Sequence, residues 1–75
     1  MTTKIEDPNK LFDELIKQGG LKNDAALARS LNVAAPTISN MRACRLAVGP
    51  ALIVSIIEHF HMPLQRIRRL LAGLE

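Results

Sequence analysis

The sequence predicts an all-α domain of five short helices, and three features predict it. Apolar residues recur three and four apart in five separate stretches, as one face of a helix requires. The prolines Pro8, Pro36, Pro50 and Pro63 each fall where such a stretch begins, a position where the missing N–H is not needed. Gly19-Gly20, Asn32 and Gly73 fall where stretches end, and Gly and Asn enter the left-handed backbone region at low cost. The 75 residues make one domain, placed at residues 7–75 behind a frayed lead-in of residues 1–6. There is no internal repeat, low-complexity run or linker.

The first helix is expected over about 8–18. Asp7 caps it, and Pro8 takes its first position. Leu11, Phe12, Leu15 and Ile16 form its apolar stripe, and its mixed-sign polar face reads as solvent-facing. The second is expected over about 24–31. Asn23 caps it, and Asp24 suits its positive end. Leu27 and Leu31 share a face, and Ala28 is small where another helix crosses. Asn32 turns the chain, and Val33 points back to the core.

The third helix is expected over about 36–43, with Ile38 and Met41 inward. At about 100° per residue, Pro36, Asn40 and Ala43 then point outward, with Thr37 and Ser39 on the flanks. Its outer face is short, small and uncharged. The stretch from Asn23 to Arg42 therefore reads as a helix-turn-helix. The fourth helix, about 50–60, carries Leu52, Ile53, Val54, Ile56, Ile57 and Phe60. A helix apolar on most sides is expected at the centre, with the others packed around it. The fifth, about 63–72, is lined by Leu64, Ile67, Leu70, Leu71 and Leu74. So small a domain is not expected to cover all of Leu70, Leu71 and Leu74. These three are assigned to a homodimer interface, with plain core packing as the alternative.

The net charge is +3, and its placement says more than its size. Up to residue 21, Lys4, Lys10 and Lys17 are outnumbered by Glu6, Asp7, Asp13 and Glu14. From 22 to 69, Lys22, Arg29, Arg42, Arg45, Arg66, Arg68 and Arg69 face only Asp24 and Glu58. A basic excess on and after the helix-turn-helix suits a polyanion. Tyr and Trp are absent, and Phe12 and Phe60 sit at core-like positions. Without an aromatic platform for stacking bases, duplex DNA is the favoured nucleic acid.

Other chemistry lacks its residues. His59 and His61 lie two apart and do not share a helix face. With Cys44 they fall short of a closed zinc site, so no metal or cofactor is expected. Cys44 has Arg42 and Arg45 near it, which favours the thiolate, but a partly buried, inert cysteine is the commoner outcome. No phosphate-cradling glycine motif and no convergent catalytic set occurs, so no enzyme activity is expected. A single Cys fits a reducing cytoplasm. Nothing approaches the roughly 20 apolar residues of a membrane span, and no apolar signal core follows Met1. A cytoplasmic location is expected.

Leu27-Ala28, Leu31, Val33, Thr37-Ile38-Ser39 and Met41, followed by a loop with Arg45 and an apolar helix ending near Phe60, resemble the Cro/lambda-repressor-like (XRE) helix-turn-helix family. The resemblance covers roughly residues 10 to 72. The chain departs from the family's pattern at Asp24 (often Gln), Asn32 (Gly), Arg42 (often Glu) and Cys44 (often Gly). The resemblance implies a compact five-helix domain and a prokaryotic or phage transcriptional regulator, a repressor that blocks polymerase by occupying a promoter.

The expected mechanism puts the third helix in the major groove of B-DNA, with the second lying across it. Asn40 is the leading base reader, since its amide fits adenine's N6 and N7 edge. Ala35, Pro36 and Ala43 meet thymine methyls, and Thr37 and Ser39 donate to base or phosphate. Lys22, Arg42 and Arg45 hold the phosphates, and the N–H groups near Asn23 and Asp24 point at another. So few readers per protomer call for a homodimer on a two-fold operator. A different class of reading is a protein-interaction module or antitoxin-like protein on the same fold, using the uncharged third-helix face and the terminal leucines.

Overall fold

Residues with left-handed backbone mark where this chain turns. The computed structural model describes residues 8–74. It contains α1 (Pro8–Gly19), α2 (Asp24–Ser30), α3 (Ala35–Arg42), α4 (Pro50–Phe60) and α5 (Leu64–Leu71), with no strand among the described residues. Asp7 and the lead-in 1–6 lie outside the described residues.

Four helices end in one way. The N–H of Leu21 donates to the Ile16 carbonyl at 2.9 Å, that of Val33 to Ala28 at 2.9 Å, that of Arg45 to Asn40 at 2.8 Å and that of Leu74 to Arg69 at 2.9 Å. Each bond closes over a left-handed residue: Gly20 (φ 63), Asn32 (φ 59), Cys44 (φ 60) and Gly73 (φ 74). This Schellman geometry satisfies carbonyls that a helix end leaves open. It also throws Leu21 and Val33 back onto the core. At Cys44 the same turn carries a Cβ against the following carbonyl, a strain of about 1–2 kcal/mol. α4 ends at His61 (φ 55), whose N–H donates to Ile57 at 3.0 Å.

The centre is α1, which packs against each of the other four helices. Leu11, Phe12 and Leu15 are fully buried. Each contributes about 1.5–3 kcal/mol by leaving water. Leu27, Leu31, Ile38, Ile56, Met62 and Ile67 close around them. The polar side of α1 is not simply solvated, as the sequence suggested. Asn9 and Asp13 hold Arg42 at the end of α3, Glu14 holds Arg66 of α5 at 3.1 Å, and Gln18 donates to the Phe60 carbonyl at 2.9 Å. Thus α1 fixes its neighbours by a dry stripe and by a polar rim.

α4 is the element whose place the sequence misassigned. Only Leu52 and Ile56 of its apolar residues are fully buried, Ile53, Ile57 and Phe60 are half-buried, and Val54 is 50% exposed. All-round hydrophobicity here does not mean centrality, because α1 already fills the space around which the chain wraps. Boundaries differ little. α3 starts at Ala35, while Pro63 and Ala72 are caps of α5, not members of it.

Candidate nucleic-acid interface

The geometry of α3 begins in the turn before it. The Asn23 side chain accepts from the Ala26 N–H at 2.9 Å and so starts α2. After Asn32, Ala34 is extended (φ −71, ψ 144) and Pro36 lies in the first turn of α3. Ile38 and Met41 anchor α3 in the core. Ala35, Pro36, Ser39 and Ala43 are exposed, while Thr37 and Asn40 are half-buried. The outward face is therefore small and uncharged, with Ser39 nearer its crest than the helical wheel suggested.

Arg45 and Asn40 act together beside that face. Arg45 Nη1 donates to Asn40 Oδ1 at 3.1 Å. The Schellman turn at Cys44 brings the two within reach, since the Arg45 N–H is bonded to the Asn40 carbonyl. An amide oxygen has two lone pairs, so Oδ1 keeps one acceptor site while Nδ2 keeps its protons. The guanidinium thus orients the amide without consuming it. Arg45 is exposed and forms no ion pair among the described residues, and the same holds for Lys22 and Arg29 of α2 and its approach.

Arg42 is not where the sequence reading put it. Its Nε and Nη2 donate to Asp24 Oδ2 and Oδ1 at 2.9 and 3.0 Å. Nη2 also donates to Asp13 Oδ1 at 2.9 Å, and Nη1 to Asn9 Oδ1 at 2.8 Å. The guanidinium lies 5.5 Å from the Phe12 ring centroid, within cation–π range. Burial of the guanidinium lowers its pKa, but the hydrogen bonds it donates to Asp24 and Asp13, and then their charges, outweigh this and leave it raised. With its donors facing inward, Arg42 ties α1, α2 and α3 together and is not a phosphate contact. The Asp24 carboxylate is likewise committed to Arg42.

Leu70 and Leu71 also move from site to core. They are 3% and 5% exposed, because α5 packs this face on α1. Leu74, 73% exposed, is what remains of the expected dimer stripe. Cys44 is exposed, not partly buried, and His59 is exposed with Nδ1 2.9 Å from the Ser55 carbonyl. No group of three or more metal-ligating side chains occurs among the described residues. No helix among them is long and apolar enough to cross a membrane.

The roles of Asn9 and Asp13 had no local signal in the sequence, since they meet Arg42 across 33 and 29 residues. Set against protein-family models, curated proteins and solved structures, the chain matches none of them.

Proposed function

We propose that this chain is a sequence-specific duplex DNA-binding regulator that inserts α3 into the major groove, in the manner of Cro/lambda-repressor-like helix-turn-helix proteins. The observation that carries the reading is the outward face of α3: Ala35, Pro36 and Ser39 exposed and free of charge, beside an Asn40 amide oriented by Arg45. A face of that size admits close approach to base edges. Asn40 reads adenine, one bidentate pair being worth about 1–3 kcal/mol of discrimination. Ala35 and Pro36 contact thymine methyls, and Thr37 and Ser39 supply adaptable hydroxyls. Lys22 and Arg45 neutralise phosphates, and Arg29 joins them as an exposed cation. Arg42 serves at a distance by fixing α3 against α1 and α2. Regulation follows by occupancy, as a homodimeric repressor, and no catalytic step is involved.

Fluorescence anisotropy with duplex and single-stranded DNA across a salt series tests this. Duplex is expected to bind more tightly, and Arg45→Ala to weaken all sequences alike while reducing the salt slope by about 1. Equal binding of both strand forms contradicts the reading.

A further inference from the structure

We propose that α4 is the helix through which two copies of this chain associate, antiparallel across a two-fold axis at Val54, each copy setting Glu58 at the N-terminus of the other's α4. The inference supplies the homodimer that the DNA-binding reading calls for. It rests on that reading for its use and not for its geometry.

Three observations carry it. The first is apolar exposure. Val54 is half exposed on α4, with exposed Pro50 and Ala51 on the same side and half-buried Ile53 and Ile57 flanking it. Pro50, Ala51, Val54 and Glu58 recur at the three- and four-residue spacing that packs one helix along another.

The second is charge. No Lys or Arg occurs from residue 46 to 65, although the chain holds 10 of them. Two copies repel each other wherever their basic stretches meet, and α4 with its flanking loops brings no Lys or Arg to such a contact. A polyanionic partner would be drawn to the cations outside this stretch and not to α4.

The third is complementarity. α4 begins at Gly49 with no side-chain cap, so its first N–H groups and positive end are unmet by the chain itself. Its one acid, Glu58, is exposed and forms no ion pair among the described residues. In an antiparallel pair centred on Val54, position 58 lies opposite position 50. Each is about 6 Å along the helix from the axis. The same symmetry that buries Val54 against Val54 thus brings each carboxylate to the other's uncapped helix start, as an isologous interface requires.

The test is sedimentation equilibrium with cross-linking. Wild type is expected to be dimeric, and Val54→Arg to weaken dimerisation about a hundredfold or more by forcing a charge into the contact. Its helical circular dichroism should be unchanged, because Val54 is not part of the core. Glu58→Lys should weaken dimerisation about fivefold. In a Cys44→Ser background, Val54→Cys is expected to form an intermolecular disulfide on mild oxidation, whereas Ser39→Cys on α3 is not. A monomeric wild type overturns the proposal, and so does a dimer that survives Val54→Arg. A face reserved for a different protein would show itself as the first of these. DNA titrations separate the two readings. A monomer that still selects a sequence overturns only the dimer, and a Val54-dependent dimer with no duplex preference overturns only the DNA reading.

Discussion

α1 and α4 reverse the expected relation between how apolar a helix is and how central it lies. α1 mixes Lys10, Asp13, Glu14 and Lys17 with Leu11, Phe12 and Leu15, yet it touches every other helix. α4 has one charged residue, Glu58, yet fully buries only Leu52 and Ile56. A narrow apolar stripe with polar flanks can be dry along its crest and hydrogen-bonded along both edges, which makes α1 a hub. A helix apolar on most sides has more apolar surface than one protomer covers, and the surplus at Val54 faces outward. Apolar excess in a helix is therefore not by itself a sign that the helix lies at the centre.

The contrast can be broken most sharply at Phe12. Phe12→Ala removes a fully buried ring from the hub and is expected to cost about 3–5 kcal/mol. In a domain this small that abolishes most of the folded population, which thermal unfolding followed by circular dichroism would record. Val54→Ala, assayed at concentrations where the protein is monomeric, should cost no more than about 0.5 kcal/mol. Comparable losses at the two positions would erase the distinction between hub and surface.

Arg42→Met tests the polar edge of α1. It keeps some of the contact with Phe12 but leaves Asp24, Asp13 and Asn9 without their donor. A loss of about 2 kcal/mol is expected, moderated by the exposure of the two carboxylates. Because the folded state raises the Arg42 pKa, its contribution is fully present at neutral pH and fades only as pH rises through the strongly alkaline range. The difference between wild type and variant should thus be flat from neutral into mildly alkaline solution. A difference that shrank between pH 8 and 10 would show that the guanidinium is not the group responsible, since arginine stays protonated throughout that range.

A smaller effect than at Arg42 is expected at the α3 terminus, and it has the opposite sign. Cys44→Gly relieves the left-handed strain at φ 60 and should stabilise the protein by about 1 kcal/mol. In a domain of this size that raises Tm by about 4–8 °C. An unchanged Tm would mean that the turn holds no strain worth relieving.

The helices were legible because Pro, Gly and Asn mark their ends, and those marks act locally. Asn32 at φ 59 and the Asn23 cap on Ala26 follow from chemistry within a few residues. Which helix lies at the centre was not legible. Periodicity tells which face of a helix is buried but not how many neighbours share it. Leu70 and Leu71 were misassigned for that reason: apolar positions at the end of α5 look surplus until α1 is seen to pack on that helix. Arg42 was misassigned because a basic residue at the end of α3 looks like a phosphate contact. Asn9 and Asp13, which claim its donors, are distant in sequence and reach it only through the packing of α1 on α3. The outward face of α3 was legible in composition. The Arg45–Asn40 contact was not, because it depends on a left-handed turn at a cysteine.

The most direct measurement is selection of bound duplexes from a random DNA pool at near-physiological salt, with wild type and Asn40→Ala side by side. Wild type should enrich a two-fold-related site, and Asn40→Ala should lose preference at one position in each half of it. Recovery of no sequence pattern, with binding that vanishes as salt rises, would leave only non-specific attraction of a cationic protein to a polyanion and would contradict the role assigned to α3.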